Sequence, residues 1–424
     1  PAKVPVILML GTEGIAVGMA TTILPHNFNE LLNAQIAILK GERFKCLPDF
    51  PQGGLMDASE YADGKGKVKL RAKIERAGDK KVVIREIPWG TTTESLMASI
   101  EAAVAKGKVK ISEINDRTGA DVEIELSLTR GTYADEVIRQ LFAYTECEVS
   151  VNSNIVVIKD RKPAELTVKE ILHYLTDQLK EQIRKELEYE LGQLEDKQHA
   201  LTLEQIFIEN RVYKKIETAT SEEEVISKVY GGMKPFAEAF VRPMVDDDVN
   251  RLLELRIKRI SQFDINKNRK DVEEVIANIK RAKTKLKNLT QTTIGWIEGT
   301  LKKYGGLFPR RTKITTFTAV DKKAVALANV KVGYDSSTGF FGTSVRGGEK
   351  EFKVTEYEKF LIIMQDGMYK VVGPTEKMLL EGKVVYMEIF DEENGFNFVA
   401  VYRDKEKIPW AKRSSITGFI KDKE

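Results

Sequence analysis

Between Arg269 and Tyr304 the apolar side chains recur at alternating intervals of three and four. They are Val272, Val275, Ile279, Ala282, Leu286, Leu289, Thr293 and Trp296. That spacing keeps one stripe of a helix facing a partner helix. At 1.5 Å per residue the segment predicts a helix of ~50 Å. A matching stripe lies upstream: Val168, Leu172, Leu175, Leu179, Ile183, Leu187, Leu191 and Leu194. Between the stripes stand a shorter helical stretch (202–217), a turn at Gly231-Gly232 with Pro235, and an apolar segment over 246–263. The acids at its start suit the positive N-terminal end of a helix over 246–263. Two long helices around a small globule cannot cover each other's stripes inside a ball. The pattern predicts an antiparallel coiled coil over 166–305 with the globule, about 236–264, at its far tip.

The flanking sequence is of other kinds. Residues 67–75 alternate, with Val68, Leu70, Ala72 and Ile74 opposite Lys67, Lys69, Arg71 and Lys73, which predicts one half-buried strand. Strands are also expected over 81–88 and 121–128. One helix is expected with Thr93 as N-cap and another over 134–144. Residues 1–165 therefore predict a mixed helix-and-strand (α/β or α+β) layer domain. From 306 to 424 short apolar runs are broken by Gly and Asp, and Asp366-Gly367 marks a hairpin. An all-β module is expected there.

Composition narrows the function classes. Apolar residues make up 42% of the 424, enough for packed cores, and the charged 31% suits long solvated helix faces. Lys and Arg total 67 against 64 acids, a balance that neither demands nor excludes nucleic acid. Cys46 and Cys147 with His26, His173 and His199 supply no disulfide framework or zinc cluster, so a reducing compartment and no metal are expected. No apolar run reaches the length of a membrane span. The chain opens Pro-Ala-Lys and enters an apolar run (4–10) at once, so it reads as a piece of something longer.

Few residues suggest chemistry. The glycine-rich run 11–20 follows an apolar strand but lacks both nucleotide-binding fingerprints. It reads either as a tight packing turn or as a loop tip presenting Ile15, an apolar residue that could wedge between base pairs and kink a duplex. Lys65, Lys67, Lys69, Arg71 and Lys73 form a row suited to phosphates, or else a solvated strand paired with Glu123 and Glu125. His26 reads as a phosphate donor or base, or as a structural turn residue. No isolated acid pair and no nucleophile-and-base arrangement stands out, so no catalytic residue is expected in this chain.

Several motifs in a fixed order carry a resemblance. They are PAKVPVILMLGTEGIAVGMATTILPHN (1–27), DFPQGG (49–54), DGKGKVKLRAKIE (63–75), IREIPWGTT (84–92) and LLELRIKRISQFD (252–264). Together they resemble the A subunits of type IIA DNA topoisomerases, the gyrase and topoisomerase IV family. IFIENRVY, KYGGLFPRRT and the GFFG region resemble most the topoisomerase IV-type subunits of Bacteroidetes-like bacteria.

The resemblance implies a tower domain at 1–165, a coiled coil with a C-gate globule at 166–305, and the start of a C-terminal β-pinwheel at 306–424. Ile15 falls on the isoleucine that bends the gate duplex in this family. Lys65, Lys67, Lys69, Arg71 and His26 become DNA-binding candidates, and Val249, Leu252, Leu253, Leu255 and Ile257 candidates for the dimer gate. The catalytic tyrosine belongs to a winged-helix domain upstream of Pro1, so this chain alone is expected not to cleave DNA. The pinwheel reads as incomplete, with two blades. Arg346-Gly347-Gly348 is at best a remnant of the gyrase wrapping motif, which favours decatenation and relaxation over supercoiling. Partners implied are double-stranded DNA, a second copy of the chain and a B subunit that handles ATP and Mg²⁺, in an A2B2 enzyme of the bacterial cytoplasm without membrane contact. The alternative is a structural coiled-coil tether without catalysis, or, more weakly, a purely architectural DNA binder. The 11–20 loop and the basic strand separate these from the topoisomerase reading, because a spacer needs neither.

Overall fold

The computed structural model describes residues 2–78, 80–256 and 262–419. It mixes helix and strand, with one very long helix, several small sheets and no barrel among the described residues. The chain divides into two compact units whose segments interleave: up to Asp49, Tyr61–Gly66 and Ser153–Arg310 in the first; Phe50–Glu60, Lys67–Asn152 and from Arg311 on in the second.

In chain order the elements begin with α1 (Val6–Leu10), β1 (Thr12–Ala16), β2 (Met19–Ile23), α2 (Phe28–Lys40), β3 (Leu55–Asp57), β4 (Lys67–Arg71), β5 (Lys73–Arg76), β6 (Lys81–Glu86) and α3 (Thr93–Ala105). Next come β7 (Ile111–Asp116), β8 (Ile124–Leu128), α4 (Ala134–Tyr144), β9 (Glu148–Asn152), β10 (Val156–Lys159), β11 (Lys162–Glu165), α5 (Val168–Glu209), α6 (Glu222–Met233) and α7 (Asp246–Leu253). Then follow α8 (Gln262–Lys287), α9 (Leu289–Tyr304), β12 (Lys313–Ile314), α10 (Lys322–Val325), β13 (Val330–Asp335), β14 (Phe340–Gly342) and β15 (Lys350–Val354). The last are β16 (Phe360–Met364), β17 (Tyr369–Val372), β18 (Met378–Leu379), β19 (Val384–Ile389), β20 (Phe396–Arg403) and β21 (Pro409–Ile416).

In the first unit α5 and α8 run antiparallel, since Lys283 pairs with Glu195 and Arg269 with Glu209. The start of α5 is set by Thr167 and Glu170, each of which caps the other's backbone N–H. Leu179, Ile183 and Leu187 of α5 pack with Phe28 and Leu32 of α2 and Ile297 of α9. At the other end Leu203, Phe207, Val212, Val229, Met233, Val249 and Leu252 form a small core.

The helices depart from the sequence pattern in four places. The stretch from Thr202 does not make a separate helix but extends α5 to Glu209, because Leu203, Phe207 and Ile208 continue its buried face. The return helix breaks at Asn288, whose carbonyl accepts both the backbone N–H and the hydroxyl of Thr292. Beyond the break the buried stripe moves from Trp296 to Ile294 and Ile297. The helix expected over 246–263 ends at Leu253. The run 4–10, read as a strand, is helical over Val6–Leu10, with Leu8 buried.

In the second unit β12, β3, β4 and β9 form one four-stranded sheet, and β5, β6, β8 and β7 another. The strand expected over 67–75 is split between them at Ala72, which is buried and donates its N–H to the Cys147 carbonyl. The N-cap of α3 is Thr92 rather than Thr93, and its hydroxyl accepts from the Ser95 N–H. Helices α3 and α4 cover the second sheet through Leu96, Ile100, Val137 and Leu141. The all-β module expected over 306–424 also holds the short helix α10, whereas the elements from Val330 to Ile416 are all strands, with Asp366-Gly367 in the turn between β16 and β17.

Candidate nucleic-acid interface

Strands β1 and β2 pair antiparallel with Ile15 opposite Ala20 and Ala16 opposite Met19, leaving Val17-Gly18 as a two-residue turn. Gly18 takes φ +77° there, a conformation side chains rarely adopt. Gly11 does the same work at the root of the hairpin: its φ is +68°, and a Cβ would sit 2.5 Å from the Ile23 carbonyl oxygen. The outer part of the hairpin stands clear of any core, and only Ile23 at its root is buried. Ile15 is 95% exposed and Val17 fully so. Fully solvated β-branched side chains on a rigid ribbon are costly for a protein with no partner at that spot. Ile15 lies on a strand rather than at the loop tip, and Val17 holds the tip. The signal for Val17 was present in the sequence, as the residue before the turn glycine.

The basic strand is only partly available. Lys67 and Lys69 flank Glu60, at 3.1 and 3.9 Å, and all three side chains are well exposed. Arg71 is engaged internally. Its Nε donates to Glu148 at 2.5 Å, an amino nitrogen donates to the Thr318 carbonyl, and its guanidinium lies 4.6 and 4.3 Å from the rings of Phe142 and Phe317. Lys73 belongs to the neighbouring sheet and pairs with Glu75 and Glu86. Glu123 and Glu125 face Arg85, Lys81 and Arg117 rather than the β4 lysines, because β8 pairs with β6 and β7. The cross-sheet pairing expected of a merely solvated strand is therefore absent among these residues. Lys65, in the loop before the strand, is exposed.

His26 sits elsewhere, and a direct phosphate contact is corrected. Its ring is 3% exposed, with Nδ1 3.3 Å from the Leu8 carbonyl and Nε2 3.0 Å from the Tyr61 hydroxyl. Burial lowers its pKa to about 4, so at neutral pH the ring is uncharged and held inside the fold.

The gate candidates also separate. Val249 and Leu252 are buried in the globule's own core, so they cannot clasp a twin directly. Leu253 and Leu255 are half-buried at its edge, and Ile257 lies outside the described residues. Sequence reading missed a buried polar network here. Asp248 accepts from the Val245 N–H at 3.0 Å and from Arg242 at 2.8 and 3.2 Å, and lies 3.2 Å from His199 Nε2. Although burial pushes the Asp248 carboxyl up, these donors together hold it below the ordinary range.

Comparison with known proteins decides the family. A family model for the A subunits of DNA gyrase and topoisomerase IV matches residues 1–299. The chain belongs to the family of DNA gyrase and topoisomerase IV A subunits. A second model, the topoisomerase C-terminal domain of Bacteroidota, matches 331–424. The chain is 41% identical to the DNA topoisomerase 4 A subunit of Borreliella burgdorferi, over all of its own length and 68% of that protein's. It is 30% identical to the DNA gyrase A subunit of Lawsonia intracellularis over 71% of the chain, and 30% identical to that of Leptospira biflexa over 65%. It spans about a third of the length of each of these gyrase subunits. The family is that of the A subunits of type II DNA topoisomerases, isomerases that act with a B subunit. No helix among the described residues is long and apolar enough to cross a membrane.

Proposed function

We propose that this chain is the DNA-bending and exit-gate part of a type IIA topoisomerase A subunit. The observation that carries the reading is Ile15, an isoleucine exposed to 95% on a two-stranded hairpin. An apolar wedge of this kind unstacks a base step and lets the bent duplex meet more protein surface. Lys65, Lys67 and Lys69 are the phosphate-contacting set, and Arg71 steadies the strand that carries two of them. Phosphate contacts position the duplex without reading its sequence.

In this reading residues 1–165 are the tower domain, 166–305 an antiparallel coiled coil with the gate globule, and 306–424 the start of a β-pinwheel. The globule closes on a second copy through a self-complementary patch, as a two-fold interface must. Of the gate candidates named from the sequence, Leu253 and Leu255 are the available apolar members. The reaction is strand passage, changing DNA topology by decatenation or relaxation rather than supercoiling. Strand cleavage, ATP and Mg²⁺ belong to other parts of an A2B2 enzyme working on the chromosome in the cytoplasm. Among the described residues no group of three or more His, Cys, Asp or Glu is placed to hold a metal ion.

The test is Ile15→Ala in the complete A subunit joined to its B subunit. Fluorescence transfer across an end-labelled duplex should report a smaller bent fraction and less cleavage, with weak duplex binding retained. Unchanged bending would remove Ile15 from this role.

A further inference from the structure

Only Ile23, at the root of the hairpin carrying Ile15, is buried, so something further out must fix the angle at which the exposed part stands. In an antiparallel ladder, backbone groups of alternate residues point away from the partner strand. With Ala16 and Met19 flanking the two-residue turn, the outward residues of β2 are Ala20 and Thr22. Asn154 takes both. Its backbone exchanges hydrogen bonds with Thr22, at 2.7 and 3.1 Å, and its side-chain amide donates to the Ala20 carbonyl at 2.9 Å. Between them Thr21 bridges the same segment: its hydroxyl accepts from the Val156 N–H at 3.1 Å and lies 3.3 Å from the Asn154 carbonyl.

We infer that Asn154 is a positioning residue that holds the Ile15 hairpin at its working angle. The side-chain bond matters most because it extends the attachment further toward the tip than the backbone pairing reaches. Its acceptor, Ala20, is the direct cross-strand partner of Ile15. Without it the outermost attachments left are those of Thr21 and Thr22, and Ile15 swings about that root. The inference rests on the proposal that Ile15 bends DNA.

The experiment compares Asn154→Asp, Asn154→Ala and Ile15→Ala in the complete A subunit with its B subunit. The aspartate keeps the shape but replaces the donor with an acceptor facing a carbonyl. Hydrogen exchange on the DNA-free protein reads the attachment of β1 and β2, end-label fluorescence transfer reads bending, and thermal unfolding controls for stability. Both Asn154 variants should lose amide protection in β1 and β2. Their bent fraction should fall about threefold, the scale of one neutral hydrogen bond, with an unchanged unfolding midpoint. If Ile15→Ala suppresses bending but the Asn154 variants bend DNA normally, the positioning role is wrong and the wedge stands. If Ile15→Ala itself leaves bending intact, the wedge reading falls, whatever the exchange data show.

Discussion

The Tyr61 hydroxyl lies 3.0 Å from Nε2 of His26, while Nδ1 of the same ring faces the Leu8 carbonyl. This pairing suits one protonation state: a neutral imidazole donating from Nδ1 and accepting at Nε2. Its folded pKa of about 4 is below the ordinary 6.5. The unfolded chain therefore binds more protons between these values, so stability is full above pH 6.5 and declines as pH falls toward 4. At pH 5 the loss from this group is about 2 kcal/mol. His26→Gln should unfold more easily at pH 7.5, yet lose less stability than the parent between pH 7.5 and 5. Parallel denaturant curves at the two pH values check this, and equal losses in parent and variant would show that His26 does not titrate as a buried base.

Arg71 shows how a residue chosen for its charge can owe its place to shape. Its plane lies against two aromatic rings while its Nε meets Glu148, and its side chain is only 12% exposed. Lysine would keep the charge and lose the planar contacts. Arg71→Lys should cost about 1–2 kcal/mol, and Arg71→Ala about 2–3 kcal/mol with Glu148 left unpaired. Urea unfolding with near-UV dichroism measures both. A lysine variant as stable as the parent would make the stacking incidental.

The lysines of β4 carry a different expectation. Each phosphate contact contributes about 0.9 to the slope of log affinity against log salt. Lys67→Ala with Lys69→Ala should lower that slope by about 2 in the complete subunit, whereas Arg71→Lys should leave it nearly unchanged. Titrations of a short duplex at several salt concentrations provide the slopes. An unaltered slope in the double variant returns Lys67 and Lys69 to partners of Glu60 alone.

What was legible in the sequence follows the range of the signal. Periodic stripes found α5 and α8, and alternation found the inward faces of β4 and β8, because both depend on local geometry and a single buried side. Breaks were harder. Asn288 ends α8 by leaving the helical backbone conformation, at φ −108° and ψ 45°, and Ala72 moves the chain from one sheet to another, neither of which disturbs the apolar pattern. Side-chain fates were hardest of all. Arg71 and Lys69 are equivalent positions on the strand, yet Phe142 and Phe317 reach only one of them, from distant parts of the sequence. Val249 and Leu255 likewise share an apolar run, and only the fold of the globule sends one inward. The exposure of Ile15 was one of two readings of the glycine-rich run, because a packing turn has the same composition and only the fold around the hairpin separates them.

That division within the globule separates stability from association. Leu252 is 4% exposed within a core of Leu203, Phe207, Val229 and Met233. Truncating it removes contacts that no partner chain supplies, so Leu252→Ala should cost about 3 kcal/mol of local stability. Leu255 lies half-buried at the edge, so Leu255→Asp should disturb the core less. If the globule closes on a twin there, a carboxylate in the patch faces its own copy across the two-fold axis, and desolvation and repulsion act together. Sedimentation equilibrium should then show Leu255→Asp weakening dimerisation at least tenfold, while hydrogen exchange in α5 and α6 stays close to the parent. Leu252→Ala should show the reverse, with faster exchange around Phe207 and Val229 and a smaller change in association. A Leu255→Asp protein that dimerises as tightly as the parent would place the gate on another face of the globule.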